Sequence, residues 1–261
     1  MNLSIADKSK KQTFLALFQL LKSCSSIIKI HFNVDHLYIQ GMDKAHVCLF
    51  EIKIDGEWFN AYSMTHNTIM DVCVDSTMFV NILSMAQEHH TIQIEHVAAG
   101  EEELNINLVN NQNVKGEYNT YFTIPLADVD MDILNIPDDI DYDAEFSINA
   151  KKMHEITSQL SLFGDTMNIQ CSEEKMDICA SGVLGKMVVN VPIDDLDEFS
   201  ISEGDEIDLH YSINYVHKMC MTTKLSADIS ISISDKFPMK IKYDLGNNSF
   251  VTFYIAPKIN D

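Results

Sequence analysis

IKIHFNVDHLYI, residues 28–39, and MNIQCSEEKMDI, residues 167–178, read alike. In each, apolar and polar side chains alternate, the pattern breaks at a short polar turn, and alternation resumes. A period of two of this kind marks two half-buried antiparallel strands joined by a turn. The two stretches stand 139 residues apart, and the correspondence continues beyond them: Ile92 falls on Ile229 at an offset of 137 and Leu104 on Met239 at an offset of 135. Two copies of one fold of about 130 residues are predicted, too few and too long for the usual solenoid repeats.

Four segments around these strands have helical spacing. Between Lys10 and Ser23, Phe14, Leu17, Phe18 and Leu21 recur at i, i+3, i+4 and i+7. A second helix follows Asp75 or Ser76 as N-cap and turns Phe79, Ile82, Leu83 and Ala86 to one side. A third begins after Asn149 with Met153, Ile156 and Leu160 inward, and a fourth near Ser212 with Ile213, Val216 and Cys220. Alternation returns in TIQIEHV (91–97), ELNINLV (103–109), KMVVNV (186–191), ADISISIS (227–234) and MKIKYDL (239–245). The fold class is α+β, each copy packing two helices on antiparallel sheet. LADVDMDILNIPDDIDYDAE (126–145) joins the copies; it is rich in aspartate and broken by Pro137. A purely solvated linker has no use for Leu134 and Ile136, and apolar groups rimmed by charge mark docking surfaces.

Composition limits the function. The chain has 261 residues, 46% of them hydrophobic, a net charge of -21, and 18 basic residues that are all lysine. Negative charge repels phosphate, so a nucleic acid has to be met by a locally positive face or held by something other than attraction. Without arginine the commonest base-specific contact is missing, which speaks against sequence-specific binding. The six cysteines form no C-x-x-C pair, so neither a zinc site nor a secreted disulfide framework is indicated. No apolar run reaches the roughly 18 residues of a membrane span, and the N-terminus lacks signal-peptide order. An intracellular protein is expected.

Catalytic and metal motifs fail on inspection. Asp128, Asp130 and Asp132 have the first spacings of a calcium loop, but the sixth position is Ile133 and the twelfth Asp139. A two-metal nuclease needs carboxylates on rigid elements in a cleft, and these sit in a linker. His154-Glu155 lacks the second histidine of a zinc protease, and His89-His90 read as a polar turn. No nucleophile elbow, phosphate-binding loop or dinucleotide fingerprint occurs. No cofactor and no enzyme activity are predicted.

Three stretches carry a family resemblance. IQGMDKAHVCLFEI (39–52) is similar to a segment built on Met-Asp-x-x-His-Val, LNIP (134–137) to a Leu-Gly-Ile-Pro connector, and FYIAPKIND (253–261) to an aromatic-aromatic-x-Ala-Pro-Lys ending. Together, and in this order, they resemble the sliding clamps of the proliferating cell nuclear antigen (PCNA) family across the whole chain. The resemblance implies two tandem clamp domains, at 1–127 and 145–261, with an interdomain connecting loop at 128–144, assembling into a toroidal homotrimer.

It further implies a processivity factor that encircles duplex DNA without sequence preference. Its partners are DNA polymerase and other proteins carrying a PCNA-interacting peptide, and a clamp loader, with no membrane. The location implied is the nucleus, or the replication compartment of an infected cell if the chain is viral. Partner peptides, a glutamine followed by an aliphatic residue and two aromatics, are expected against Met42, His46, Val47, Leu49, Leu134, Ile136, Pro238, Tyr254, Ala256, Pro257, Lys258 and Ile259. Lys8, Lys11, Lys22, Lys151, Lys152 and Lys218 are expected to face DNA. Several positions where the family carries basic residues read Leu15, Ala16, Asn81, Ser84, Pro125, Glu155 and Ser158 instead. The alternative reading is therefore a clamp-fold scaffold that gathers partners without effective sliding. Ring closure is expected through edge strands around Ile124–Val129 and Lys186–Val191.

Overall fold

The computed structural model describes residues 1–64, 69–96, 102–137 and 140–258. Two compact units divide the chain: Met1–Lys44, Glu51–Leu134 and Leu245–Phe250 make one, and Ala45–Phe50, Asn135–Asp244 and Val251–Asp261 the other.

Both halves run through the same elements in the same order. The first half comprises β1 (Asn2–Ile5), α1 (Lys8–Cys24), β2 (Ile27–Phe32), β3 (His36–Met42), β4 (Cys48–Asp55), β5 (Ala61–Ser63), β6 (Met70–Asp75), α2 (Ser76–Ser84), β7 (His90–Glu95), β8 (Glu103–Asn110) and β9 (Thr120–Pro125). The second comprises β10 (Ala144–Asn149), α3 (Ala150–Leu160), β11 (Thr166–Cys171), β12 (Met176–Gly182), β13 (Gly185–Val191), β14 (Glu198–Ile201), β15 (Ile207–Ser212), α4 (Ile213–Met219), β16 (Asp228–Ile233), β17 (Met239–Gly246) and β18 (Ser249–Ile255).

Strand pairing repeats as well. The sheet order β5-β1-β7-β8-β9 in the first half matches β14-β10-β16-β17-β18 in the second, and β4-β3-β2-β6 matches β13-β12-β11-β15. Ile30 pairs with Ile39 across β2 and β3, and Ile169 with Ile178 across β11 and β12. Both partners are shifted by the same 139 residues that aligned the sequences, so the repeat reaches down to register. Because a slip of one residue would turn these isoleucines out of the core, burial of one sheet face is what fixes the pairing.

The helices begin where the capping residues stand. Asp7 accepts from the Lys10 N–H at 2.9 Å, Asp75 from Met78 at 2.8 Å and Asn149 from Lys152 at 3.2 Å, each satisfying an N–H that the helix leaves without a partner. α4 starts after Ser212 as expected, although the Ser212 side chain makes no cap bond. The apolar stripe of α1 packs on α2 through aromatic rings, with Phe14 at 4.8 Å from Phe18 and Phe18 at 4.6 Å from Phe79. All three rings are fully buried, a contribution of about 1.5–3 kcal/mol each. Met153, Ile156 and Leu160 of α3 and Ile213, Val216 and Met219 of α4 are buried in the second unit.

One expected strand is displaced. The edge lies at Thr120–Pro125 and not at Ile124–Val129. Pro125 pairs with Glu103 near the end of the ladder, at a position whose nitrogen faces the free edge and not β8, where proline is tolerated. The Leu126 N–H still donates to the Glu102 carbonyl at 2.8 Å in the same register, and one residue on the chain leaves β8, with the Ala127 N–H donating to the Cys73 carbonyl at 2.8 Å. The second edge, β13, lies where alternation placed it. Short strands such as β5 and β14 carried too few alternating residues to be read.

Candidate functional site

Beyond β9 the connector runs over the outer face of the β3-β2-β6 sheet. On β2 and β6, Ile28, Ile30, Val72 and Val74 point into the core, so Lys29 and Cys73, which pair across the two strands, point outward. Gln40 on β3 lies in line with them, one step beyond the Ile30–Ile39 pair. Each of the three reaches the connector backbone. The Cys73 thiol donates to the Val129 carbonyl at 3.5 Å, and the Lys29 ammonium to the Met131 carbonyl at 3.2 Å. The Gln40 amide donates to the Leu134 carbonyl at 2.9 Å and accepts the Leu134 N–H at 2.6 Å. Burial pushes the Cys73 thiol up from its usual value, which keeps it a donor.

A second polar row supports the first. Lys29 also pairs with Asp71 at 3.3 Å, and Asp71 meets His31 Nδ1 at 2.6 Å. The Gln40 amide donates to the Tyr38 hydroxyl at 3.1 Å, which in turn donates to Glu51 at 3.1 Å. Burial, and then the Glu51 charge, push the Tyr38 phenol upward, so it stays protonated. The connector backbone is thus held while its apolar side chains stay out: Ile133 is 53% exposed and Leu134 46%.

The other expected docking residues are surface groups. Met42, Val47, Leu49, Ile136, Tyr254, Ala256, Pro257 and Lys258 are half-buried, and His46 and Pro238 are exposed. None is a plain core residue. Ile259 lies outside the described residues. His46 sits at φ 57°, in the left-handed turn that leads into β4. The C-terminal tail is tied down within the second unit: the Ala256 N–H donates to the Val47 carbonyl at 3.0 Å and the Lys258 N–H to the His210 carbonyl at 2.7 Å. The Lys258 ammonium reaches the Thr166 hydroxyl at 2.6 Å and Asp165 at 3.5 Å.

Of the lysines expected to face DNA, Lys8, Lys22, Lys151 and Lys152 are exposed and Lys218 is half-buried. Lys8 pairs with Glu88 at 2.9 Å and Lys152 with Glu155 at 3.6 Å, which offsets part of their charge. Lys11 is a correction. It is 7% exposed, and its ammonium donates to the carbonyls of Gln87 at 3.1 Å, Glu88 at 2.6 Å and His90. The resemblance grouped it with Lys8; the turn after α2 folds over it and takes its charge for the chain's own backbone.

Among the described residues, His89, His90 and Glu117 bring ligand-type atoms within 4.8 Å of one another. His90 Nδ1 accepts the Gln87 N–H at 3.1 Å, so the neutral ring carries its proton on Nε2 and has no lone pair there for a metal. What remains is a contact of His89 with Glu117 at 3.6 Å.

Comparisons with known proteins agree with this arrangement. The family model described as "Proliferating cell nuclear antigen, N-terminal domain" matches residues 8–134, and the corresponding C-terminal model matches 135–258. The proliferating cell nuclear antigen of Chaetomium thermophilum is 24% identical over 256 residues, covering 96% of this chain and 95% of that protein. That of Saccharomyces cerevisiae is 26% identical over 253 residues, with 95% of each covered. The crystal structure of PCNA from Thermococcus kodakaraensis has the same fold, with a TM-score of 0.85 over 98% of this chain and 99% of that one at 19% identity. With both of its halves matched by the two successive domains of one family, in the order and register of an internal repeat, the chain belongs to the proliferating cell nuclear antigen family.

Proposed function

We infer that the chain is a DNA sliding clamp, a processivity factor that encircles duplex DNA and tethers polymerase and other replication and repair proteins to it. The observation that carries this is the match of both tandem domains, over residues 8–258, to the two domains of that family. The role asks for a closed ring and docking surfaces and for no reacting group.

Three copies close the ring in this reading, each presenting β9 to β13 of the next. Such a head-to-tail contact is heterologous, and a rotation of one third of a turn closes it. Support comes from two edges that have no further strand neighbour among the described residues, β9 in the first unit and β13 in the second. A cavity of about 590 Å³ beside β13, with Ile156, Val189, Val191 and Pro192 on its wall beside the charged Lys152, Glu155 and Asp195, offers room for an incoming chain. In this reading partner peptides are recognised by Met42, His46, Val47, Leu49, Leu134, Ile136, Pro238, Tyr254, Ala256, Pro257, Lys258 and Ile259, aliphatic and proline side chains being suited to aromatic anchors. Lys8, Lys22, Lys151, Lys152 and Lys218 face the duplex. No helix among the described residues is long and apolar enough to cross a membrane.

Light scattering at micromolar concentration tests the assembly. A mass three times 29.6 kDa is expected. Val189→Lys, which sets a charge in the β13 seat, should shift the mass to that of a single chain. A wild-type mass of 29.6 kDa alone would overturn the homotrimer.

A further inference from the structure

We propose that Gln40 holds the connector in the register that a partner peptide reads, which makes it a positioning residue of the docking surface and not part of its wall. The proposal rests on the reading of the connector as a docking surface.

Gln40 belongs to the outward-facing set of β3, where alternation expects a solvated side chain, yet it is 7% exposed. Its planar amide meets both backbone groups of one residue, the Leu134 carbonyl at 2.9 Å and the Leu134 N–H at 2.6 Å. That is the double bond pattern of a hydrogen-bonded antiparallel pair, made here by a side chain in place of a strand.

The network also fixes which end of the amide is which. Glu51 is an acceptor, so the Tyr38 hydroxyl spends its proton on it and must accept from Gln40, which turns the Gln40 NH₂ toward Tyr38 and leaves Oε1 for the Leu134 N–H. Asparagine is one methylene too short for this span, and glutamate would set a second acceptor against the Leu134 carbonyl. Cys73 and Lys29 hold only carbonyls, at Val129 and Met131. Gln40 alone of the three fixes both the N–H and the C=O of one residue, and so fixes its rotation.

Rotation matters because successive extended residues face opposite ways. A connector turned at Leu134 would present different side chains at Leu134 and Ile136, the two apolar groups that the docking reading uses.

The test compares wild type with Gln40→Met and Gln40→Glu in the full chain. Methionine keeps the volume and loses both bonds. The probe is a fluorescein-labelled peptide with a glutamine, an aliphatic residue and two aromatics, titrated by anisotropy. The second readout is amide hydrogen exchange in the segment containing Leu134. For Gln40→Met the expected results are affinity about five-fold weaker or more, the order expected for two net hydrogen bonds, and faster exchange at Leu134. Gln40→Glu should bind weakly at pH 7.5 and recover relative to wild type at pH 5, where the protonated acid again offers one donor and one acceptor; this arm holds even if the methionine variant folds poorly. Wild-type affinity in Gln40→Met, or no recovery of Gln40→Glu on acidification, would overturn the proposal while leaving peptide docking intact. Failure of the wild-type protein to bind the peptide would overturn the docking reading and the proposal together.

Discussion

The ammonium of Lys11 lies 2.6 Å from the carbonyl oxygen of Glu88, and it closes the turn after α2 by donating also to Gln87 and His90. A lysine expected to face DNA is spent on backbone carbonyls of the turn after α2 and of the start of β7. Lys11→Met should destabilise the fold by about 2–3 kcal/mol, because it removes the charge-assisted hydrogen bonds that close this turn. Denaturant melts of Lys11→Met and Lys22→Ala check this. Stability should fall in the first and stay near wild type in the second, whose side chain is exposed.

The imidazoles of His154 and His217 stack at 5.2 Å with 19° between their planes, and His217 Nδ1 is hydrogen-bonded with the Thr157 hydroxyl at 3.0 Å. Burial, and then the neighbouring His154, hold the His217 pKa below the usual 6.5; His90 moves the same way through burial and His89. A histidine with a folded pKa below its unfolded value takes up its proton more readily unfolded, so stability rises with pH between the two values. The cost is complete below the folded one. Acidification from pH 7.5 through 6.5 should therefore lower stability, and His217→Gln should reduce that dependence. Melts at pH 7.5, 6.5 and 5.5 that fall equally in both proteins would contradict the assignment.

Ile136 stands half-buried two residues beyond the Leu134 backbone that Gln40 holds. Ile136→Asp should weaken a partner peptide by at least about 2 kcal/mol, since it sets an uncompensated charge against aromatic anchors. Lys258→Ala should cost less, because its ammonium is engaged with Thr166. Anisotropy titrations give both values; equal affinity of wild type and Ile136→Asp would move the peptide elsewhere.

Much of the fold was legible because buried sheet faces and helix caps leave strong local patterns. Ile30 and Ile39 announced their hairpin, and Asp75 and Asn149 announced their helices. The repeat followed from spacing alone. What stayed hidden depends on distant residues. Nothing around Lys11 marks it as buried, since its partners lie on the turn after α2. Gln40 sits inside a motif that was read, but its neighbours give no sign that residues 126–134 cover it. The strand at β9 stops where the Ala127 N–H turns to the Cys73 carbonyl, a partner distant in sequence.

How DNA is held decides the account. A chain of net charge -21, with Lys8 and Lys152 already paired to carboxylates, neutralises few phosphates, so its attraction to short linear duplex should be weak and fade quickly with salt. Retention must come from closure of the ring. The most direct measurement loads the protein onto nicked circular DNA, raises the salt, and then cuts the circle once. The protein should stay on the circle at high salt and leave rapidly after the cut. Equal, salt-sensitive loss from circles and linear fragments would contradict it.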